Sequence, residues 1–300
     1  MTGRGSQTAG PETRLHGAVL DWYAASARAL PWRDPSCSPW GVFVSEVMAQ
    51  QTPLARVEPV WREWLARWPS PAALASEPTG EVVRAWGRLG YPRRALRLHE
   101  SATAMVERHG GRVPSDEDEL LALPGVGPYT AAAVAAFAFG RRTVVVDTNV
   151  RRVLTRMLLG RAQAAPALTA AERDLAASVL PTDPGRAVVW DVAVMELGAL
   201  VCTARAPACG SCPIAPLCAW RRAGHPASDG PARRGQAWHG TDRQVRGRIV
   251  QALREAPGPL SRRELAGVGD EPDQIDRCLG SLLTDRLIEA SGAGGYRLPW

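Results

Sequence analysis

The sequence predicts a mainly α-helical protein with a small separate module at its C-terminal end, and three observations lead there. Across residues 15–220 apolar side chains recur at three- and four-residue intervals between Pro- and Gly-containing turns, the period of amphipathic helices. Cys202, Cys209, Cys212 and Cys218 stand in the order C-x6-C-x2-C-x5-C near the end of that body. At 221–241 the periodic pattern gives way to Arg, Gly, Pro and Ala, which reads as a linker.

The first residues, 1–14, lack the apolar stretch of a secretory signal and read as a disordered leader. Helices are then expected over Gly17–Leu30, Val42–Gln51, Pro59–Trp68, Gly80–Leu89 and Thr169–Leu180. No charge-free apolar run reaches ~18 residues, so no membrane span is expected. With 300 residues, 45% of them hydrophobic, the chain has the material for a real core and for two or three domains. After the linker, Val245, Ile249, Val250 and Leu253 share one face of a helix over Asp242–Glu255. A short second helix is expected over Leu260–Leu265 and a third over Asp273–Leu287, followed by a hairpin between Ile288 and Leu298. Three helices and a hairpin form a winged-helix arrangement, either a DNA-contacting accessory domain or a packing module. Few basic residues fall on its third helix, which weakens the case for a groove reader.

The cysteine quartet calls for a metal centre. Thiolates at these separations can converge on one site, and one C-x2-C pair between two lone cysteines is unlike the paired knuckles of zinc ribbons. An iron–sulfur cluster is therefore favoured over zinc, with buried or disulfide-bonded cysteines third. Pro207, Gly210 and Pro213 fit a tight loop around that centre. A reduced, cytoplasmic setting suits thiolate ligands better than disulfides. Cys37 and Cys278 lie outside the quartet and read as packing residues.

All 36 basic residues are arginine, and the chain contains no lysine. Abundant Ala, Arg, Gly and Pro point to a GC-rich genome, so the net charge of +6 is modest evidence for a nucleic-acid partner. The chemical consequence is firmer: lysine-based Schiff-base catalysis is excluded.

Leu123-Pro124-Gly125-Val126-Gly127-Pro128-Tyr129-Thr130 precedes an apolar helix. Two glycines let the backbone turn so that N–H groups face outward at a helix start, a grip for a phosphate that reads no bases. Alone, the segment also fits a structural turn, the lesser of the two readings. Downstream, Asp147 ends an apolar run and begins a periodic one, as an N-cap does; a carboxylate there can also offset positive charge developing on a deoxyribose.

At this point the chain resembles the helix-hairpin-helix DNA glycosylases of the endonuclease III superfamily, and within it the MutY-type adenine glycosylases. The resemblance runs over about residues 15–220. It is carried by Leu30-Pro31-Trp32-Arg33, Ser45-Glu46-Val47-Met48-Ala49-Gln50-Gln51-Thr52, Leu89-Gly90-Tyr91, the hairpin, Asp147-Thr148-Asn149, Met195-Glu196-Leu197-Gly198-Ala199 and the quartet. It implies an all-α body of two lobes: an iron–sulfur lobe of 15–45 and 150–220, and a six-helix barrel of 46–149 that carries the hairpin. The linker 221–241 and a winged-helix-like domain, 242–300, would follow.

The resemblance also implies roles. Glu46 is the expected general acid that protonates the departing adenine, and Asp147 the carboxylate that stabilises the oxocarbenium-like sugar. The physics agrees, since adenine leaves poorly until protonated and a carboxylic acid shielded from water holds its proton. Tyr129 stands where bifunctional relatives carry the Schiff-base lysine, which implies base removal without strand cleavage. Gln50, Gln51 and Tyr91 are expected to wedge into the duplex beside the opposite base. Arg33, Gly125, Val126, Gly127, Thr130 and Asn149 complete the expected DNA contacts, and the four cysteines would hold a [4Fe–4S] cluster.

The implied function is a monofunctional glycosylase that excises adenine opposite 8-oxoguanine or guanine in duplex DNA. Such a protein would act as a monomer in a bacterial cytoplasm, at the nucleoid. Two departures are plain. Asp191-Val192 replaces the Asn-Gln or Asn-Glu common in the family, and Val192 can neither donate nor accept. The roughly 60 residues after the linker are also too few for the family's larger Nudix-like domain. A thymine or uracil mismatch glycosylase, or a non-catalytic iron–sulfur DNA-binding regulator, are the alternatives.

Overall fold

The computed structural model describes residues 11–228, 238–269, 271–292 and 294–300. Fourteen α-helices follow in chain order among them: α1 Pro11–Ser26, α2 Pro39–Ala49, α3 Leu54–Arg67, α4 Pro71–Ala75, α5 Thr79–Ala85, α6 Arg93–His109 and α7 Glu117–Leu121. Then come α8 Pro128–Phe139, α9 Thr148–Leu159, α10 Ala170–Ser178, α11 Pro184–Leu200, α12 Ala219–Arg222, α13 Asp242–Glu255 and α14 Pro272–Thr284. Strands β1 Leu260–Ser261, β2 Glu289–Ser291 and β3 Gly295–Arg297 make one small antiparallel sheet in the order β1-β3-β2. The protein is thus mainly helical, as its periodicity predicts. No described helix is long and apolar enough to cross a membrane.

The chain divides into two compact units, 1–30 with 131–232 and 31–130 with 233–300. The sequence reading put those divisions at 45/46 and 149/150. Of the expected leader, 1–10 lies outside the described residues, while Pro11–Arg14 already belongs to α1. Of the expected linker, 229–237 lies outside them, and α12 occupies its first two positions.

Several helix boundaries differ from expectation for local reasons. α1 runs from Pro11 and stops at Ser26, four residues short of the expected end at Leu30. α5 ends at Ala85, because Gly87 turns into the left-handed region at φ +53°. α3 begins at Leu54 and carries Pro59 inside it. The expected helix over Leu260–Leu265 is instead strand β1 and a 3-10 helix, Glu264–Val268. Ser261 and Glu264 bond reciprocally there: Ser261 N donates to Glu264 Oε2 at 2.7 Å and Glu264 N to Ser261 Oγ at 3.2 Å. This reciprocal pair closes the turn that links β1 to the 3-10 helix.

In the first unit, α1, α9 and α11 enclose a core of Val19, Val153, Leu154, Trp190, Val194 and Leu197. Asp147, Thr169 and Asp183 cap α9, α10 and α11, each accepting from a backbone N–H of the first turn, at about 1 kcal/mol apiece. Gly198 of α11 lies so close to α9 that a Cβ there would sit 2.7 Å from the Asn149 Cβ. The motif residue Gly198 is therefore a contact point between helices.

In the second unit, Trp64 packs edge-on against Trp68 and Trp86 with centroids 4.8 and 5.5 Å apart. The C-terminal module packs on the same unit: Val83 and Leu96 share a core with Ile249, Leu265, Ile275 and Leu282. At Gly80 an added Cβ would collide with the Pro299 carbonyl, so this approach depends on glycine.

Candidate functional site

Glu46 lies in the last half of α2, which is buried on every side from Trp40 to Met48; the helix starts with a Ser38 cap and Pro39. Only 8% of Glu46 is exposed. Tyr129, in the first turn of α8, donates its hydroxyl to Glu46 Oε2 at 2.9 Å. A second bond joins the same two helices, one turn further along α2 and one residue further along α8. Gln50 Nε2 donates to the buried Thr130 Oγ1 at 3.2 Å, tying the end of α2 to the start of α8.

The hairpin is fixed from α6. Ser101 Oγ donates to the Pro124 carbonyl at 2.6 Å, and Val126 N closes the turn on Leu123 O at 3.2 Å. Gly125 has φ +76°, and a Cβ on it would meet the Arg97 side chain at 2.7 Å. Both facts require glycine at 125, whereas a Cβ at Gly127 would meet nothing. Pro128 opens α8, a position whose N–H has no intrahelical partner in any case. Arg33 closes a short 3-10 helix, Pro31–Arg33.

Gln51 and Tyr91 both adopt left-handed backbone, at φ +54° and +47°, which is strained for side chains of their size. One residue missed by sequence reading holds both segments. Arg94 donates to Val47 O and Met48 O at the end of α2, to Thr52 Oγ1, and to Leu89 O and Gly90 O, all between 2.8 and 3.2 Å. Burial lowers its pKa to about 10, so it stays charged at neutral pH.

Asp147 and Asn149 belong to the other unit, with the quartet. Asp147 Oδ1 accepts from Val150 N at 2.7 Å, and its Oδ2 from Asn149 Nδ2 at 2.7 Å. Burial raises the Asp147 pKa, while those two bonds and the Arg152 charge pull it back. Arg152 in turn donates to Asn149 Oδ1 at 2.6 Å, to Gly198 O at 2.6 Å and to Cys202 O at 2.7 Å. Nothing in the sequence marked Arg152; its partners lie up to 50 positions away.

The four quartet cysteines are free thiols around one small cavity, lined also by Val153, Met157, Ile214 and Trp220. Burial, then neighbouring sulfurs, pushes the Cys212 thiol up to about 11, with the Ile214 amide opposing. No three His, Cys, Asp or Glu side chains among the described residues converge on a single ion position. Four cysteines in this order around one cavity suit an iron–sulfur cluster, the reading their spacing gave. Arg156, only 4% exposed, sits against it, donating to Cys202 Sγ at 3.4 Å and to the carbonyls of Thr203, Ala204 and Ala162. A buried cation so placed favours a group of net negative charge, as an iron–sulfur core with four thiolates is.

Asp191, where the sequence departs from its family, is 5% exposed, and its Oδ2 has no hydrogen-bond partner among the described residues. Burial pushes its pKa up to about 8, against the Val145 amide and the Arg142 charge. Val192 beside it is half-buried.

Two family models match this chain. The HhH-GPD superfamily base excision DNA repair protein model covers residues 44–177, and the iron-sulfur binding domain of endonuclease III covers 202–218. The chain is 53% identical over 295 residues to the adenine DNA glycosylase of Mycobacterium tuberculosis (strain ATCC 25618 / H37Rv), covering 97% of this chain and 95% of that one. It is 42% identical over 218 residues to the adenine DNA glycosylase of Homo sapiens, covering 70% of this chain and 40% of that protein. Among solved structures, that of a thermostable thymine-DNA glycosylase superposes with a TM-score of 0.63 at 26% identity, covering 71% of this chain and 97% of that one.

Proposed function

The chain belongs to the HhH-GPD superfamily of base excision DNA repair proteins, within it to the MutY-type adenine DNA glycosylases, and from that premise we propose that it excises adenine paired with 8-oxoguanine or guanine in duplex DNA. The reaction is acid-assisted hydrolysis of the N-glycosidic bond, without strand cleavage by the protein itself.

The observation that carries this reading is the Tyr129–Glu46 hydrogen bond, 2.9 Å long, at the site where a bifunctional relative holds its lysine. In a chain without any lysine, that site can orient an acid but cannot form a Schiff base. Glu46 gives its proton to the flipped adenine, which converts a poor leaving group into a neutral one. The bond to the sugar breaks with its electron pair passing to the base. Asp147, held by Val150 and Asn149, offsets the charge of the cationic sugar until water adds, the water's proton passing to the Glu46 carboxylate that the first step left without one. Gln50, Gln51 and Tyr91 fill the space left by the everted base, and the hairpin grips the backbone through Gly125, Val126 and Gly127, with Arg33 and Thr130 beside the target.

The Cys202, Cys209, Cys212 and Cys218 thiolates hold the iron–sulfur cluster. When bound it supplies a rigid anionic centre for unit folding and DNA docking; base hydrolysis needs no electron transfer. Arg156 neutralises it from within and Arg221 from its rim. A nucleoid-associated, cytoplasmic monomer fits this role.

Single-turnover base release from short duplexes holding A:8-oxoG, A:G, T:G or U:G tests the reading, with Glu46→Gln beside the parent protein and alkali added only afterwards. Adenine release alone, lost in the variant, with strand breaks only after alkali, is the expected result. Release of thymine or uracil would replace adenine as substrate, and no release from any duplex would leave a DNA-binding protein without turnover.

A further inference from the structure

Within the second unit, a cleft of about 890 Å³ opens between the Gly90-Tyr91 loop and α13 of the C-terminal module. Eight arginines line it, with no Asp or Glu among its walls. Asp285 stands behind two of them, Arg93 and Arg246, at 3.4 and 2.5 Å. Arg56, Arg94, Arg248 and Arg254 donate to backbone carbonyls instead, which leaves their positive charge in place.

The cleft is also aromatic. Arg243 lies over the Tyr91 ring at 4.8 Å and over the Trp238 ring at 5.1 Å, so an arginine of the module bridges the wedge loop and the segment leading into α13. Tyr91 and Trp238 remain 43% and 47% exposed. Such large, exposed rings beside uncompensated guanidinium groups fit a ligand that carries both phosphate and flat bases, and base stacking is worth about 1–3 kcal/mol per base. The volume falls within the range of about 300–1,000 Å³ common for small-ligand sites, enough for a nucleotide.

Two further facts place the ligand on this face. Four non-glycine residues in the described chain have left-handed backbone, and two of them, Gln51 and Tyr91, line the cleft. Strain of that kind persists where the surroundings hold it for a purpose. The helix that a winged module usually offers to a groove, α14, has Arg277 as its one arginine, and that is tied to Asp242 at 2.9 Å. The cationic side of this module is therefore α13, turned toward Tyr91.

We propose that the cleft binds the strand opposite the target base: Arg88 and Arg243 hold its phosphates, and one of its bases stacks on the Tyr91–Arg243–Trp238 ladder. The identity of that strand rests on the glycosylase reading above. The C-terminal module thus takes part in binding through the first of its helices.

The test uses the full chain with Glu46→Gln, so that no base is lost during binding, and a duplex with 2-aminopurine in the strand opposite the target adenine, next to the mispaired position. Affinity is measured across salt concentrations for this protein and for Arg243→Ala, Arg243→Lys and Trp238→Ala, each first checked for an unchanged melting temperature. Arg243→Ala is expected to weaken binding about tenfold and to lower the salt slope by about one phosphate. Arg243→Lys restores the slope but not the change in 2-aminopurine fluorescence on binding, and Trp238→Ala reduces that change while leaving the slope alone. Affinities of Arg243→Ala and Trp238→Ala within twofold of the parent, with the same fluorescence change, would overturn the proposal. Base release by the protein with intact Glu46 separates the two readings. Adenine release with binding indifferent to these variants removes the cleft alone; absent release with binding that depends on Arg243 removes adenine excision and keeps the cleft.

Discussion

Asn149 donates its side-chain amide to Asp147 at 2.7 Å while its own carbonyl accepts from Arg152 at 2.6 Å. Arg152 also donates to the Cys202 carbonyl at 2.7 Å, so two side chains span the distance from the quartet's first cysteine to the proposed sugar-stabilising carboxylate. Asn149→Ala is expected to slow single-turnover adenine release at least about tenfold, the loss of one oriented hydrogen bond to an ionised group. Arg152→Ala slows it comparably although it touches no substrate. Arg152→Lys restores little, since one ammonium cannot reproduce a planar fork. Parent-like rates for both alanine variants would remove the relay from the reaction.

Glu46→Gln keeps the shape of the site and removes its acid. Release is expected to fall about 10²–10⁴-fold, the usual range for a general acid, with duplex affinity preserved. Tyr129→Phe, which deletes the hydroxyl bonded to Glu46, lowers the rate less, about tenfold. Rapid-quench assays at saturating protein separate these effects from binding; a larger loss for Tyr129→Phe than for Glu46→Gln would contradict the assignment.

Asp191 makes stability depend on pH in an unusual direction for a carboxylate. Its folded pKa is about 8 and its ordinary value 3.8, so between those limits the folded protein keeps a proton that the unfolded chain has released. Stability is therefore lost as pH rises through that window, by up to about 1.4 kcal/mol per unit, and no further loss from this group follows above it. Asp191→Asn removes the penalty. The variant should melt above the parent at pH 8 and near it at pH 4.5; melting curves that shift in parallel at both pH values would count against the buried carboxyl.

Arg28 grips Glu196 through two side-chain bonds, 2.7 and 2.8 Å, and a backbone bond of 3.1 Å. Glu196 is only 1% exposed, so Arg28→Ala leaves a buried charge without its main cation, at a cost of about 3–5 kcal/mol. Arg28→Ala with Glu196→Leu should recover most of that loss. Urea unfolding of the single and double variants measures it, and an additive, undiminished loss in the double variant would mean the pair is not coupled.

What could be read from the sequence was what depends on neighbours along the chain. The quartet, the Gly125 turn and the Asp147 cap are each set within a few residues, and their chemistry follows from residue type and spacing. The resemblance then joined Glu46 to Tyr129, 83 positions apart. Arg94, Arg152 and Arg156 were invisible because an arginine among 36 looks like solvated charge until its partners are known. The role of Gly198 was equally hidden: only the crossing of α11 on α9 shows which atom a methyl group would strike. The short helix expected over Leu260–Leu265 failed because Leu260 and Ser261 pair with β3, and Ser261 bonds back to Glu264 across the turn.

Arg94 carries a consequence for how this enzyme family can diversify. Its guanidinium bonds the end of α2, which leads into Gln50 and Gln51, and the loop bearing Tyr91. The two pieces of the proposed wedge, 40 positions apart in the chain, are thereby held by one side chain. Grafting either piece alone from a relative with a different taste for the opposite base would leave that side chain mismatched to half of its partners. If the proposed wedge sets the choice of opposite base, exchanging that choice means moving both loops together with the arginine between them.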